Sequence, residues 1–519
     1  MLVRVYGAKS IGIDAVRVIV EVDISQGIGI HLVGLADTAV KESLLRTVTA
    51  LQSLGYRIPG RKITINLAPA DLHKSGSGYD LPIALGIITA SGQENLPYIE
   101  DYLIMGELGL DGSIRDISGA LLYAENARQM GMKGCIFPER SALEAVELQD
   151  VDIFGVKCLA DVVRILSEPQ SCEDLLICNT GEYHNRLDDA IGGGNSEGDV
   201  DFADIVGQEG AKRGLEIAAA GGHNVIMVGP PGAGKSTLAK ALAGIMPPMT
   251  REESLVTSKI YSIAGKDNLT CGLIRKRPVR SPHYSATLAA IIGGGSGDNV
   301  TPGEISLAHN GILFLDEFGQ MPRAVADALR APMEDRKVIV SRLRTKVEYP
   351  SSFMLVAASN PCPCGYYGEG DRCRCTPGQR SSYFGRLSGP LMDRIDIQIH
   401  LHPLKSSDMV NRAPGEPSSR VLERVTAAWD IQSARFAEDP VNSNSGMTNK
   451  MVEKYCSLSL QCTEVLARII SRMGLSMRAY FRIIKVARTI ADLAGEADIR
   501  PEHIMEAASY RFLDKQDGF

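Results

Sequence analysis

The stretch Gly229-Pro230-Pro231-Gly232-Ala233-Gly234-Lys235-Ser236 satisfies G-x-x-x-x-G-K-[ST] at every fixed position. It follows the apolar run Asn224-Val225-Ile226-Met227-Val228 and precedes a helical pattern from Thr237 to Ile245. Strand, glycine-rich turn and helix in that order make a phosphate cradle. Glycines let successive backbone N–H groups point inward, and the helix N-terminus adds positive dipole charge. In such a loop Lys235 reaches the β- and γ-phosphates and the Ser236 hydroxyl binds Mg²⁺. The stretch from Gly229 to Thr237 therefore reads as a nucleoside-triphosphate site. A plain glycine-rich connection would need neither flank.

A second apolar run, Ile312-Leu313-Phe314-Leu315, ends in Asp316-Glu317. Four buried residues carry such a strand to the carboxyl edge of a sheet. There Asp316 can orient Mg²⁺ and Glu317 can polarise the attacking water. Strands often end in acids, so the pattern gains its weight from lying downstream of a phosphate loop. A third run, Phe353-Met354-Leu355-Val356-Ala357-Ala358, ends at Ser359-Asn360. This puts a neutral amide, Asn360, beside the phosphates; in isolation it would read as an Asn opening a turn before Pro361.

The chain has 519 residues, a length that suggests three or four domains. Hydrophobic residues are 44% and charged residues 23%, the proportions of a globular protein with real cores. A net charge of −7 gives no global basic footprint, so any nucleic-acid contact must come from local patches. No apolar run reaches the length of a membrane span, and Met1-Leu2-Val3-Arg4 lacks a signal-peptide core. The expectation is a cytoplasmic, reducing setting without membrane contact, in which the 11 cysteines do not form disulfides.

Residues 1–167 read as an α/β unit. Val16–Val22 and Lys62–Asn66 are β-rich, Asp80–Ser91 and Ala120–Met130 helical, and Gly134–Phe137 a short buried strand. From 168 to 200 polar residues dominate and no period holds, which reads as a linker. A new unit opens near Phe202 with Asp204-Ile205-Val206-Gly207-Gln208 and alternates strands and helices over 201–403; Gln208 is counted with the nucleotide-binding residues. After another loose stretch, 418–519 reads almost wholly helical.

Three further segments carry a resemblance. They are Ala219-Ala220-Gly221-Gly222-His223-Asn224, Pro302-Gly303-Glu304-Ile305-Ser306-Leu307-Ala308-His309-Asn310-Gly311 and Leu387-Ser388-Gly389-Pro390-Leu391-Met392-Asp393-Arg394-Ile395-Asp396. With the phosphate loop they resemble the magnesium-chelatase-like AAA+ group and, end to end, the ComM/YifB family. The resemblance implies a Lon-type (ribosomal-S5-like) α/β domain followed by a P-loop AAA+ domain with a helical lid. It implies a hexameric bacterial ATPase that remodels DNA, promoting branch migration in homologous recombination and natural transformation. Its cofactors would be ATP and Mg²⁺. Its partners would be single-stranded or branched DNA, further copies of the chain, and recombination proteins. By the same resemblance Asn360 corresponds to sensor 1, Arg394 to the arginine finger that reaches a neighbouring subunit's nucleotide, and Arg478 to sensor 2. The bland alternative for each arginine is a surface salt bridge. The competing class is a chelatase-type ATPase acting on a protein or metal-insertion partner, whose nucleotide chemistry would be the same.

Between the second and third strands, Lys337-Val338-Ile339-Val340-Ser341 and the following residues form a β-rich turn. Period-2 spacing puts Arg342, Arg344 and Lys346 on one face, similar to the pore hairpin of related DNA motors and suited to a phosphate backbone. The alternative is a solvated charge run. The glycine-rich loop Ile291–Gly297 is a second pore candidate. Cys362-Pro363-Cys364 and Cys373-Arg374-Cys375 form two C-x-C pairs that fit a tetrahedral Zn²⁺ site, against the alternative of four free thiols. Both pairs would need a turn to converge. In the N-terminal unit Gly106–Arg115 and Gly131–Pro138 resemble the Lon-protease domain. The alignment puts Gly78 at the nucleophile and Leu121 at the lysine, so the unit is expected to be catalytically inactive.

Overall fold

The computed structural model describes residues 2–35, 37–74, 76–180, 183, 200–265, 272–295, 300–341, 346–368, 372–385, 389–403 and 415–514. In the N-terminal unit, strands β1 (Leu2–Ile11), β2 (Asp14–Ser25), β3 (Gly29–Val33), β4 (Lys62–Ala68), β5 (Tyr102–Ile104), β6 (Gly134–Pro138) and β7 (Asp152–Val156) form one sheet. Its order is β3-β4-β2-β1-β5-β6-β7. Alternation in β4 buries Ile63, Ile65 and Leu67 on one face, as a half-covered strand requires. Helices α1 (Thr38–Ser53), α2 (Asp80–Ala90), α3 (Ala120–Gln129) and α4 (Leu159–Ser167) complete the unit. The apolar α2 is buried almost all round, and Gly86 lets it lie directly on Val22. The stretch expected to be a linker from 168 instead begins as three single 3-10 turns. These set Cys172 and Ile177 into the N-terminal core; residues 184–199 lie outside the described residues.

The second sheet is wholly parallel. It comprises β8 (Val225–Val228), β9 (Val279–Arg280), β10 (Ile312–Leu315), the later β13 (Met354–Ser359) and β14 (Ile397–His400), in the order β9-β10-β13-β8-β14. Both faces are covered, which is why these strands read as unbroken apolar runs. Around it lie α5 (Glu209–Gly221), α6 (Lys235–Ala243), α7 (Arg251–Ala264) and α8 (Pro377–Phe384). A separate hairpin of β11 (Lys337–Ser341) and β12 (Lys346–Pro350) buries Val338, Val340, Val347 and Tyr349. The mixed α/β architecture matches the fold class expected from sequence.

Helix α7 ties the two units together. Its Leu255 and Ile263 join the N-terminal core, its Ser262 hydroxyl donates to buried Glu144, and its Lys259 pairs with Glu125. Of the C-terminal helices α9 (Ser418–Arg435), α10 (Asn449–Tyr455), α11 (Leu460–Met473), α12 (Met477–Leu493) and α13 (Pro501–Ser509), α9 and α12 pack on α5, while α10 packs on α12 and α11 on α13. Trp429 Nε1 donates to the Ala219 carbonyl and Gln432 Nε2 to that of Ala220, at 2.9 and 2.8 Å. These helices therefore grip the end of α5 that leads into β8, at the sheet edge opposite the phosphate loop. Among the described residues no helix is long and apolar enough to cross a membrane.

Candidate active site

Parallel register decides what meets at the site. Val228 pairs with Ser359 and with His400, and Leu315 with Ala357. The residues that follow these strand ends, Gly229, Asp316, Asn360 and Leu401, therefore share the carboxyl edge, where ligands of open parallel sheets bind. Gly232 and Gly234 sit at φ of +78° and +85°, a left-handed backbone that lets the loop curl ahead of α6.

The Ser236 hydroxyl donates to Asp316 Oδ2 at 2.8 Å, which brings the two expected Mg²⁺ ligands together. Lys235 Nζ donates to the carbonyls of Gly229 and Pro230 at 2.7 and 2.9 Å, and to Asn360 Oδ1 at 3.0 Å. Burial lowers the Lys235 pKa, while Asp316 and Glu317 act to raise it. Glu317 turns out of the strand at φ 49°, a conformation costing a non-glycine residue on the order of 1 kcal/mol, with its N–H on Asp316 Oδ1 at 2.8 Å. That turn separates the two carboxylates, leaving one for a cation beside Ser236 and the other for a water. Gln208 Nε2 donates to the His402 carbonyl at 2.7 Å, on the flank of the loop.

Arg394 and Arg478 stand elsewhere. The Arg394 carbonyl accepts from Asn224 Nδ2 at 3.1 Å, at the start of β8, and its guanidinium pairs with Glu334 at 2.5 Å. The exposed Arg478 pairs with Asp393 at 3.0 Å. Four residues of β8 at about 3.3 Å each put this edge on the order of 13 Å from the phosphate loop. Neither arginine joins Lys235 within one chain.

The four cysteine sulfurs lie within 4.8 Å of one another. Three of the separations are 3.3, 3.8 and 3.7 Å, close to the roughly 3.8 Å between thiolates on a tetrahedral zinc. The turn expected for the first pair is present, where Gly365, at φ +85°, donates its N–H to the Cys362 carbonyl at 3.0 Å; the second pair, Cys373 and Cys375, joins the cluster without one. Gly365 also rests on the phosphate loop, where an added Cβ would fall 2.7 Å from Pro231 Cδ. Sequence reasoning missed this contact, and it missed Tyr383, whose hydroxyl is 3.3 Å from Ser359 Oγ and whose ring fills the space Gly319 leaves open. Neither has a local signature; both arise where distant segments cross.

In the hairpin Ser341 pairs with Lys346 as the last rung, so Arg342 and Arg344 fall between the paired ends, outside the described residues. Exposed Lys346 shares its strand face with Glu348, which pairs with Lys337 at 3.1 Å. At the positions aligned with the Lon nucleophile and lysine, a Cβ on Gly78 would meet Met105 Cε at 2.9 Å, and Leu121 is buried.

A glycine-rich loop between a buried parallel strand and a helix, with an acidic strand end on its serine, defines a P-loop nucleotide-binding protein. Family profiles described as "Magnesium chelatase, subunit ChlI", "Subunit ChlI of Mg-chelatase" and "Magnesium chelatase, subunit ChlI C-terminal" match residues 201–409, 20–141 and 415–511. "Uncharacterized protein YifB" of Salmonella typhimurium is 40% identical over 517 residues, 99% of this chain and 98% of that protein. "Competence protein ComM" of Haemophilus influenzae is 40% identical over 514 residues, again 99% and 98%. "Archaeal Lon protease" of Methanocaldococcus jannaschii is 27% identical over 173 residues, 31% of this chain and 26% of that one. The chain belongs to the ComM/YifB family of magnesium-chelatase-like AAA+ ATPases, whose cofactors are ATP and Mg²⁺.

Proposed function

We propose that this chain is an ATP-driven motor that assembles as a hexameric ring and moves single-stranded or branched DNA. In that role it promotes branch migration in homologous recombination and natural transformation. One observation carries the reading: Arg394 lies at the sheet edge opposite the phosphate loop. An arginine finger there can serve only another subunit's nucleotide, which makes hydrolysis depend on assembly. The competence relative supports the biological setting.

In the proposed reaction the loop amides after Pro231, up to Ser236, and the Lys235 ammonium hold the phosphates; Ser236 and Asp316 would hold Mg²⁺, which would supply positive charge to the phosphate oxygens. Glu317 accepts the proton of the attacking water, Asn360 positions it, and Arg394 and Arg478 of the next copy face the terminal phosphate. Cys362, Cys364, Cys373 and Cys375 would hold a structural Zn²⁺. The N-terminal unit is not a peptidase in this reading, because Gly78 and Leu121 offer neither nucleophile nor base. Hairpin cations Arg342, Arg344 and Lys346 would touch the DNA backbone. Recombination proteins are the natural partners, and the cytoplasm the setting.

The test is ATPase rate with and without single-stranded and branched DNA across a salt series. Stimulation that fades steeply with salt is expected from phosphate contacts. A rate indifferent to every DNA would remove the DNA reading and favour a chelatase-type protein or metal-insertion client.

A further inference from the structure

A cleft of about 480 Å³ opens between the amino edge of the parallel sheet and the C-terminal helices, lined by Asn224, Met354 and Asp396 on the sheet side. Five cations line it, namely Arg277, Arg336, Arg394, Arg482 and Lys485, against three carboxylates, Glu253, Glu334 and Asp396. Each carboxylate already has an arginine: Glu253 pairs with Arg277, Glu334 with Arg394, and Asp396 with Arg482. The lining therefore carries two more positive than negative charges, and among the described residues Arg336 and Lys485 form no ion pair.

Arg336 caps the short helix Arg330–Asp335 at φ 55°, and its guanidinium projects against Gly446, where a Cβ would fall 2.4 Å from Nη2. Among the described residues it has no ion pair, and burial lowers its pKa. Lys485 Nζ donates to a neutral acceptor, the Ser445 carbonyl, at 3.1 Å. Burial takes its pKa down to about 8; Asp396 opposes the shift, and Arg482 and Arg336 add to it. The Nε–H of Arg482 is buried and has no acceptor among the described residues. Desolvated cations outside an ion pair are costly in a folded protein, and guanidinium donors converging with an ammonium suit a phosphate oxyanion.

We propose that this cleft is a second phosphate-binding site, distinct from the P-loop, in which Arg336 and Lys485 supply the charge and Arg482 Nε a further donor. Two sources share that chemistry: free orthophosphate, or the terminal phosphate of a nucleotide carried by an adjacent copy. Only the second source rests on the proposed action of Arg394 across subunits.

The experiment uses the full chain with the P-loop silenced by Lys235→Ala, melted in orthophosphate and in sodium chloride of matched ionic strength. A phosphate-specific rise in Tm of about 3 °C at saturation is expected, abolished by Arg336→Gln and by Lys485→Gln. Without phosphate, Arg336→Gln should melt no lower than its parent, because it removes a desolvated cation outside an ion pair. In a second arm, Glu317→Gln chains preloaded with ATP are mixed in. A rise seen only on mixing, and lost with Arg336→Gln, assigns the neighbour's nucleotide as the source. No phosphate-specific rise in either arm, or the same rise in Arg336→Gln, overturns the site. Normal turnover by Arg394→Ala alongside an intact orthophosphate response would instead remove the cross-subunit reading and leave the site standing.

Discussion

The Ser236 hydroxyl and Asp316 Oδ2 are 2.8 Å apart although 80 residues separate them in the chain. Nothing local joins them; the pairing of β10 and β8 through β13 does. The same register delivers Asn360 to Lys235, so one edge of one sheet gathers the nucleotide chemistry.

Lys235→Ala should abolish ATP binding, because the cation of the loop is lost, and Glu317→Gln should bind ATP normally but turn it over about 10²–10⁴-fold more slowly. Fluorescent-nucleotide titration and steady-state phosphate release separate the two effects. Normal turnover by Glu317→Gln would remove it as the group that activates water.

Arg394→Ala should keep ATP affinity within a few-fold of the parent and lose roughly 10³-fold or more in rate. Mixing it with Lys235→Ala chains should restore part of the activity, since one partner supplies an intact loop and the other an intact finger. Two inactive chains that stay inactive when mixed would count against action across subunits.

The cysteine cluster should carry close to one zinc per chain by elemental analysis, and Cys364→Ser should lower that content. Because Gly365 rests on Pro231 and the cluster follows Asn360, the variant should lose kcat more than it gains in KM. Protein purified zinc-free with full turnover would leave the cluster as four thiols.

Glu144 is an acid whose pKa burial raises from 4.5 to about 7, against the opposing bond from Ser262. Its neutral form is favoured in the folded state, so its contribution to stability is full below about 4.5 and is lost as pH rises towards 7. The slope over that window is about 1.4 kcal/mol per pH unit at most. Glu144→Gln should flatten that part of the Tm profile and protect the contact between α7 and the N-terminal unit above pH 7. An unchanged slope would place the titration elsewhere.

The sequence alone determined the elements and the chemistry written into contiguous stretches. Apolar runs at Val225–Val228, Ile312–Leu315 and Met354–Ala358 could be read as buried strands because both faces of a parallel sheet are covered. The phosphate loop was legible because glycine, lysine and hydroxyl must stand at fixed spacing to wrap a phosphate. Only the tertiary structure decided which edge each arginine occupies, because Arg394 is placed by the pairing of β14 with β8 and Arg478 by where the C-terminal helices dock. It also seated Gly365 on Pro231 and Tyr383 against Ser359, contacts that leave no periodic trace. It drew the segment after 168 into the N-terminal core through Cys172 and Ile177, where polar composition had suggested a linker. And it left Arg336 and Lys485 without an ion pair among the described residues, since charge balance in a cleft is settled by packing distances that no spacing along the chain records.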